Sequence, residues 1–82
     1  MNVYPKRPIR RTIEATLSTG LPVRITYSIY EGDAPDVEEV EINAYGLIFD
    51  IFDVLNDAEI EHLNEVAQQE EYDRAADAAD LM

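Results

Sequence analysis

Asp57, Glu61 and Glu65 recur at i, i+4 and i+8 in the run "NDAEIEHLNEVA", and no lysine or arginine accompanies them on that side. On a helix this spacing stacks three carboxylates along one side. Like charges so placed destabilise an isolated helix by a few tenths of a kcal/mol per pair. A basic partner would relieve that repulsion. The alternative is a solvated helix face that keeps a small protein soluble.

Asp57 to Asp73 hold seven acids, spread over roughly 24 Å at the helical rise of about 1.5 Å per residue. The density of roughly one charge per 3.4 Å matches a single strand of a duplex. Glu59, Glu70 and Asp73 project to other sides, however, so the run is no ordered row of phosphates. A second set of acids lies earlier: Glu14, Glu39 and Glu41, with Glu38 near the edge and Glu31, Asp33 and Asp36 crowding a turn.

Other chemistries fail on pattern. "DAPDVEEVE" and "DIFDVLND" cluster carboxylates but lack the loop and terminal glutamate of a calcium site. His62 is the sole histidine and there is no cysteine, so thiolate metal sites and disulfides are excluded. His62 falls off the apolar stripe of its helix and reads as exposed. No nucleophile elbow or phosphate-binding loop is present. Neither a catalytic residue nor a cofactor or metal site is assigned, and an enzyme is not expected.

The elements that position these acids follow from periodicity. Pro5 and Pro8 make residues 1–8 an extended basic arm. This arm is expected to fold back on its own acidic body or to cross to a neighbouring chain's. From Ile9 the sequence alternates, with Ile9, Ile13, Ala15 and Leu17 on one face and Arg11 interrupting them. "STGLP" breaks the run. "VRITYSIY" alternates again, with Val23, Ile25, Tyr27 and Ile29 inward. After "EGDAPD", "EVEINAY" forms a third strand with Val40, Ile42 and Ala44 inward and Glu39, Glu41, Asn43 and Tyr45 outward.

Short turn-rich loops between β-rich runs imply an antiparallel meander. Setting Ala15 opposite Ile25, and Ile25 opposite Ile42, keeps inward residues together. The same register aligns Glu14, Thr26 and Glu41 on the open face. After Gly46 the period changes. A short helix over Asp50–Leu55 is expected, with Leu47–Phe49 as an alternative extension of the third strand. Asn56 and Glu59 resemble a capping box that starts a longer helix near Asp57. Ile60, Leu63 and Ala67 are its core stripe. The Ala/Asp-rich residues 73–82 read as a frayed tail. The fold class expected is α+β: a three-stranded antiparallel meander over residues 9–72, with the C-terminal helices packed on one face.

Charge narrows the partners. The 82 residues carry a net −12, placed unevenly. In residues 1–30, Lys6, Arg7, Arg10, Arg11 and Arg24 face only Glu14, while every later acid shares residues 31–82 with Arg74 alone. Such a body repels nucleic acids and anionic membranes. With no secretory signal pattern and no apolar run of membrane-spanning length, a soluble cytoplasmic protein is expected. A core this thin also leaves room for burial by an oligomer or partner. Tyr30 and Tyr45 point outward beside acids, as interface anchors or as covers for the ends of the core.

The segments "VRITYSIYEGDAPDVEEVEINAYG" and "DIFDVLNDAEIEHL" give the chain, over about residues 9–70, a layout that resembles small acidic bacteriophage accessory proteins. Some of that class inhibit host enzymes by occupying nucleic-acid sites. The resemblance implies such a role in the host cell cytoplasm and transfers no individual residue. The leading expectation is therefore an acidic inhibitor docking on a basic host-protein surface. Glu14, Glu39, Glu41, Asp57, Glu61 and Glu65 would supply the electrostatics, and Tyr30 and Tyr45 the anchoring area. A structural or assembly module, homodimeric through the basic arm, is the alternative.

Overall fold

In a computed structural model, which describes residues 8–30 and 33–80 with side chains to Asp77, four strands form one antiparallel sheet. They are β1 (Ile9–Thr16), β2 (Pro22–Ile29), β3 (Asp36–Ala44) and β4 (Leu47–Asp50), in that spatial order. A 3₁₀ turn at Phe52–Val54 leads into a single helix, α1 (Asp57–Asp80). The α+β class holds, with one strand more than the sequence predicted. Most of the basic arm lies outside the described residues, as does Glu31 in the acidic turn.

The fourth strand comes from the "AYGL" turn. Tyr45 and Gly46 both have positive φ, 55° and 78°. Two such residues between paired Ala44 and Leu47 make a type I′ hairpin, whose twist matches that of the flanking strands. The apolar run after Gly46 therefore continues the sheet instead of starting a helix. The expected helix over Asp50–Leu55 shrinks to the 3₁₀ turn, opened by an Asp50 carboxylate that accepts the Phe52 N–H at 3.0 Å.

Both strand registers differ from expectation by two residues. Ile13 pairs with Ile25, and Ile25 with Val40. An even slip leaves every side chain on its original face, which is why the inward and outward sets survive it. Within β3 the alternation also breaks. Thr26 pairs with Glu39 but Tyr27 with Val37, so a bulge absorbs Glu38. The bulge puts Val37 and Val40, three apart, on the same buried side. Simple alternation could not include both.

The core is Leu17, Val23, Ile25, Tyr27, Val37, Val40, Leu63 and Ala67. Leu63 and Ala67 confirm the helical stripe, with Ile60 half-buried beside them. Asn56 accepts the Glu59 N–H at 2.8 Å, which is one half of the capping box. The reciprocal half is absent. The Glu59 carboxylate instead accepts from Ser18 Oγ (2.8 Å) and Ser18 N (3.1 Å), tying the start of α1 to the β1–β2 turn. These bonds, the hydroxyl first and the amide second, hold Glu59 below the usual glutamate range.

His62 is half-buried, not exposed. Its Nε2–H donates to the Thr16 carbonyl at 3.0 Å, a second tie at the same corner. Asn64 accepts the Val37 N–H (2.9 Å) at the bulged end of β3. Residues 73–80 of the expected tail are helical, and residues 81–82 lie outside the described residues. Ala-rich composition and an Arg74–Glu70 pair at i, i+4 favour helix there, where Tyr72 to Asp77 are exposed.

Arg11 does not interrupt the inner face idly. Its Nε lies 2.8 Å from Glu71 Oε2 on α1, and the same oxygen accepts the Tyr27 hydroxyl at 2.6 Å. The Arg11 N–H is not aimed along a hydrogen bond, so that contact is mainly Coulombic. Burial, then the Glu71 carboxylate, push the Tyr27 phenol well above its ordinary range. Arg11, Tyr27 and Glu71 thus join β1, β2 and α1 at the end opposite the Ser18–Glu59 tie.

Candidate functional site

The helix covers one face of the sheet, and two regions of different character divide the other. In the first, Arg10 on β1 reaches across β2 to Glu38 (3.1 Å) and Glu39 (3.8 Å). Ser28, buried beneath, donates its hydroxyl to Glu38, and the Thr12 and Thr26 hydroxyls lie 3.0 Å apart. Here the chain answers its own polar groups. Glu39, a sequence-predicted contact residue, is half-buried and engaged internally.

The second region is concave. A hollow of about 490 Å³ is lined by Glu14, Thr16, Pro22, Arg24, Glu41, Asn43 and Ile48. Glu14 pairs with Arg24, Arg24 with Glu41, and Glu41 with Asp50, forming one row straight across the four strands. Three carboxylates to one guanidinium leave the row negative. Ile48 adds an apolar wall, 62% exposed.

Tyr45 stands at the hairpin tip next to this hollow with its side chain entirely in water. A non-glycine residue at positive φ is strained by about 1 kcal/mol or more. Tyr45→Asn should therefore stabilise the fold by about 0.5–1 kcal/mol, since asparagine tolerates this conformation better. A chemical denaturation midpoint that falls instead would show that Tyr45 makes a compensating contact.

The structure does not assemble the predicted residues into one surface. Asp57, Glu61 and Glu65 are exposed, as expected, but lie on the side of α1 away from Leu63 and Ala67. Core and sheet separate them from Glu14 and Glu41. The two acidic sets do not join around one edge of the sheet, because α1 packs on the inner face while the glutamates alternate onto the outer one. Tyr30 is half-exposed at the end of β2, away from the hollow. Of the eight predicted residues, Glu14 and Glu41 line the hollow, with Tyr45 beside it. Asp50 and Ile48 were missed because β4 was missed. The signal was the AYG turn flanked by apolar residues.

Comparison with protein-family models, curated proteins and solved structures returned no match. No helix among the described residues is long and apolar enough to cross a membrane.

Proposed function

We propose that the protein is a non-enzymatic binding module that docks its open sheet face on a basic surface of another protein. The observation that carries this reading is the uncovered hollow lined by Glu14, Arg24 and Glu41, whose row Asp50 continues on β4. Carboxylates there are presented by rigid strands, so a cationic partner meets a preorganised surface. Tyr45 and Ile48 supply amphipathic and apolar area at its margin, the composition of an interaction hot spot.

The target class is a protein with a nucleic-acid channel, which an acidic face could occupy. The resemblance in layout to small acidic bacteriophage accessory proteins, some of which inhibit host enzymes at nucleic-acid sites, supports that class. The far side of α1, with Asp57, Glu61 and Glu65, contributes long-range attraction and no contact.

Capture from a bacterial lysate by the immobilised protein tests the reading. Glu14→Lys with Glu41→Lys should reduce capture at least about tenfold, equivalent to about 1.4 kcal/mol. Glu61→Lys with Glu65→Lys should reduce it far less. Capture should also weaken as salt rises. Binding that ignores both salt and the open-face reversals sinks the proposal.

A further inference from the structure

The sheet has two outer edges, and they are not alike. β1 is guarded by Pro8, Arg10, Arg11 and Glu14, the kind of residues that blunt an edge. β4 is Leu-Ile-Phe-Asp, and all four residues are exposed. Leu47 is 60% and Phe49 47% exposed although both belong to the inner face, where Phe49 pairs with Ile42. The helix lies over β3, so β4 projects past it as an uncovered shelf.

Hydrogen bonding sharpens the picture. In the two-residue hairpin, Ala44–Leu47 and Ile42–Phe49 are the pairs that exchange backbone bonds. The Ile51 N–H bond to the Val40 carbonyl (2.7 Å) continues that alternation. Ile48 and Asp50 therefore aim their own N–H and C=O groups off the free edge.

We infer that β4 pairs with β4 of a second copy about a two-fold axis through Phe49, making one continuous eight-stranded sheet. In this register Ile48 faces Asp50 of the other copy, so the outward backbone groups of both satisfy each other. Phe49 meets Phe49, and Leu47 meets Ile51, on the shelf that α1 leaves bare. The edge is thus self-complementary. Its only charge, Asp50, already turns back to the Phe52 N–H.

The area is sufficient for a modest interface. Leu47 and Phe49 on the inner face and Ile48 on the outer are each about half or more exposed, so both sides of the edge offer apolar surface to a second copy. With the strand backbones the pair stays below about 1,200 Å² in total, the size of weak, reversible interfaces. Asp57, Glu61 and Glu65 lie on the far side of α1, and salt screens the repulsion between two copies of charge −12. The inference rests on the edge geometry and stands apart from the reading of the open face. It would place two acidic hollows side by side on one sheet.

Sedimentation equilibrium of the full chain over a range of salt tests it. The expected result is a dimer with micromolar affinity that tightens as salt rises, opposite in sign to the capture of a basic partner. Phe49→Glu and Phe49→Lys should each weaken the dimer at least about tenfold. Mixing the two variants should restore it as a heterodimer, since the opposite charges meet across the axis. Ile48→Pro, which removes an edge donor that β3 does not use, should weaken it also.

Circular dichroism checks that each variant is folded. A monomer at about 200 μM in high salt overturns the inference. So does a dimer that Phe49→Glu leaves intact. A dimer that loosens with salt and is lost on removing residues 1–7 overturns it in favour of an arm-to-helix contact. In none of these cases is the lysate capture experiment affected, so the two proposals fail separately.

Discussion

Leu63→Ala is expected to lower folding stability by about 2–5 kcal/mol, the range for truncating a fully buried leucine. Leu63 is completely buried and, with Ala67, forms the helix's contribution to the fully buried core. A domain of this length has about 4–12 kcal/mol to lose in total, at about 0.05–0.15 kcal/mol per residue. The substitution thus removes a large share of it. The sheet cannot close the gap by itself, because among the described residues only α1 and the 3₁₀ segment cover its inner face.

Urea unfolding followed by circular dichroism should show a much lower midpoint at similar slope. A midpoint within about 0.5 kcal/mol of the parent would mean that α1 is not part of the cooperative unit.

The second large effect concerns the polar triad at the other end of the helix. Glu71→Ala should cost about 2 kcal/mol, since hydrogen bonds to charged groups contribute about 1.5–3 kcal/mol. It leaves the Tyr27 hydroxyl without its acceptor and the half-buried Arg11 without its counter-charge. A double-mutant cycle with Tyr27→Phe isolates the hydroxyl–carboxylate part. If the two losses simply add, the 2.6 Å contact contributes nothing of its own.

The same contact predicts a pH limb. Tyr27 has its folded-state pKa raised, by burial first and Glu71 second. A group raised in this way contributes stability that is complete below its unfolded pKa of about 10 and declines as pH climbs toward the folded value. Unfolding free energy should fall from about pH 10 upward. Tyr27→Phe, with no phenol to ionise, should flatten that fall.

The charge reversals, the Tyr45 substitution and the Phe49 pair probe the surface, and they are designed to leave this core alone. Tyr45→Asn connects the two levels. A variant that is more stable yet captures less partner would show that the strained aromatic is kept for contact at the expense of stability.

Much of the architecture was legible in the linear chain because it depends on period. Alternation in residues 9–17, broken only by Arg11, and in residues 23–30 set which side chains face the helix, and a register error of two left those faces intact. Ile60, Leu63 and Ala67 at helical spacing marked the buried stripe, and Asn56 marked where α1 begins. What misled was chemistry that resembles two things at once. "LIFDIFDVL" fits a helical arc as well as it fits a strand followed by a turn, and only the positive φ at both Tyr45 and Gly46 resolves it. The Val37–Glu38–Glu39–Val40 spacing suits neither period until a bulge removes one residue from the count.

The linear chain was enough to give the composition of the surfaces: a net charge of −12, Asp57, Glu61 and Glu65 exposed along a helix, and glutamates alternating outward on strands. These are local properties, set by side-chain type and by a fixed number of residues per turn or pleat. Tertiary structure alone decided which charges act together. Packing α1 on the inner face sent its carboxylates to the opposite side of the molecule from Glu14 and Glu41. Adding β4 brought Asp50 and Ile48 to the open face and left Leu47 and Phe49 uncovered on the other. Arg11 and Glu71, sixty residues apart, became partners only because the helix runs back across the sheet. Proximity of that kind depends on where whole elements dock, and no period in the chain encodes it.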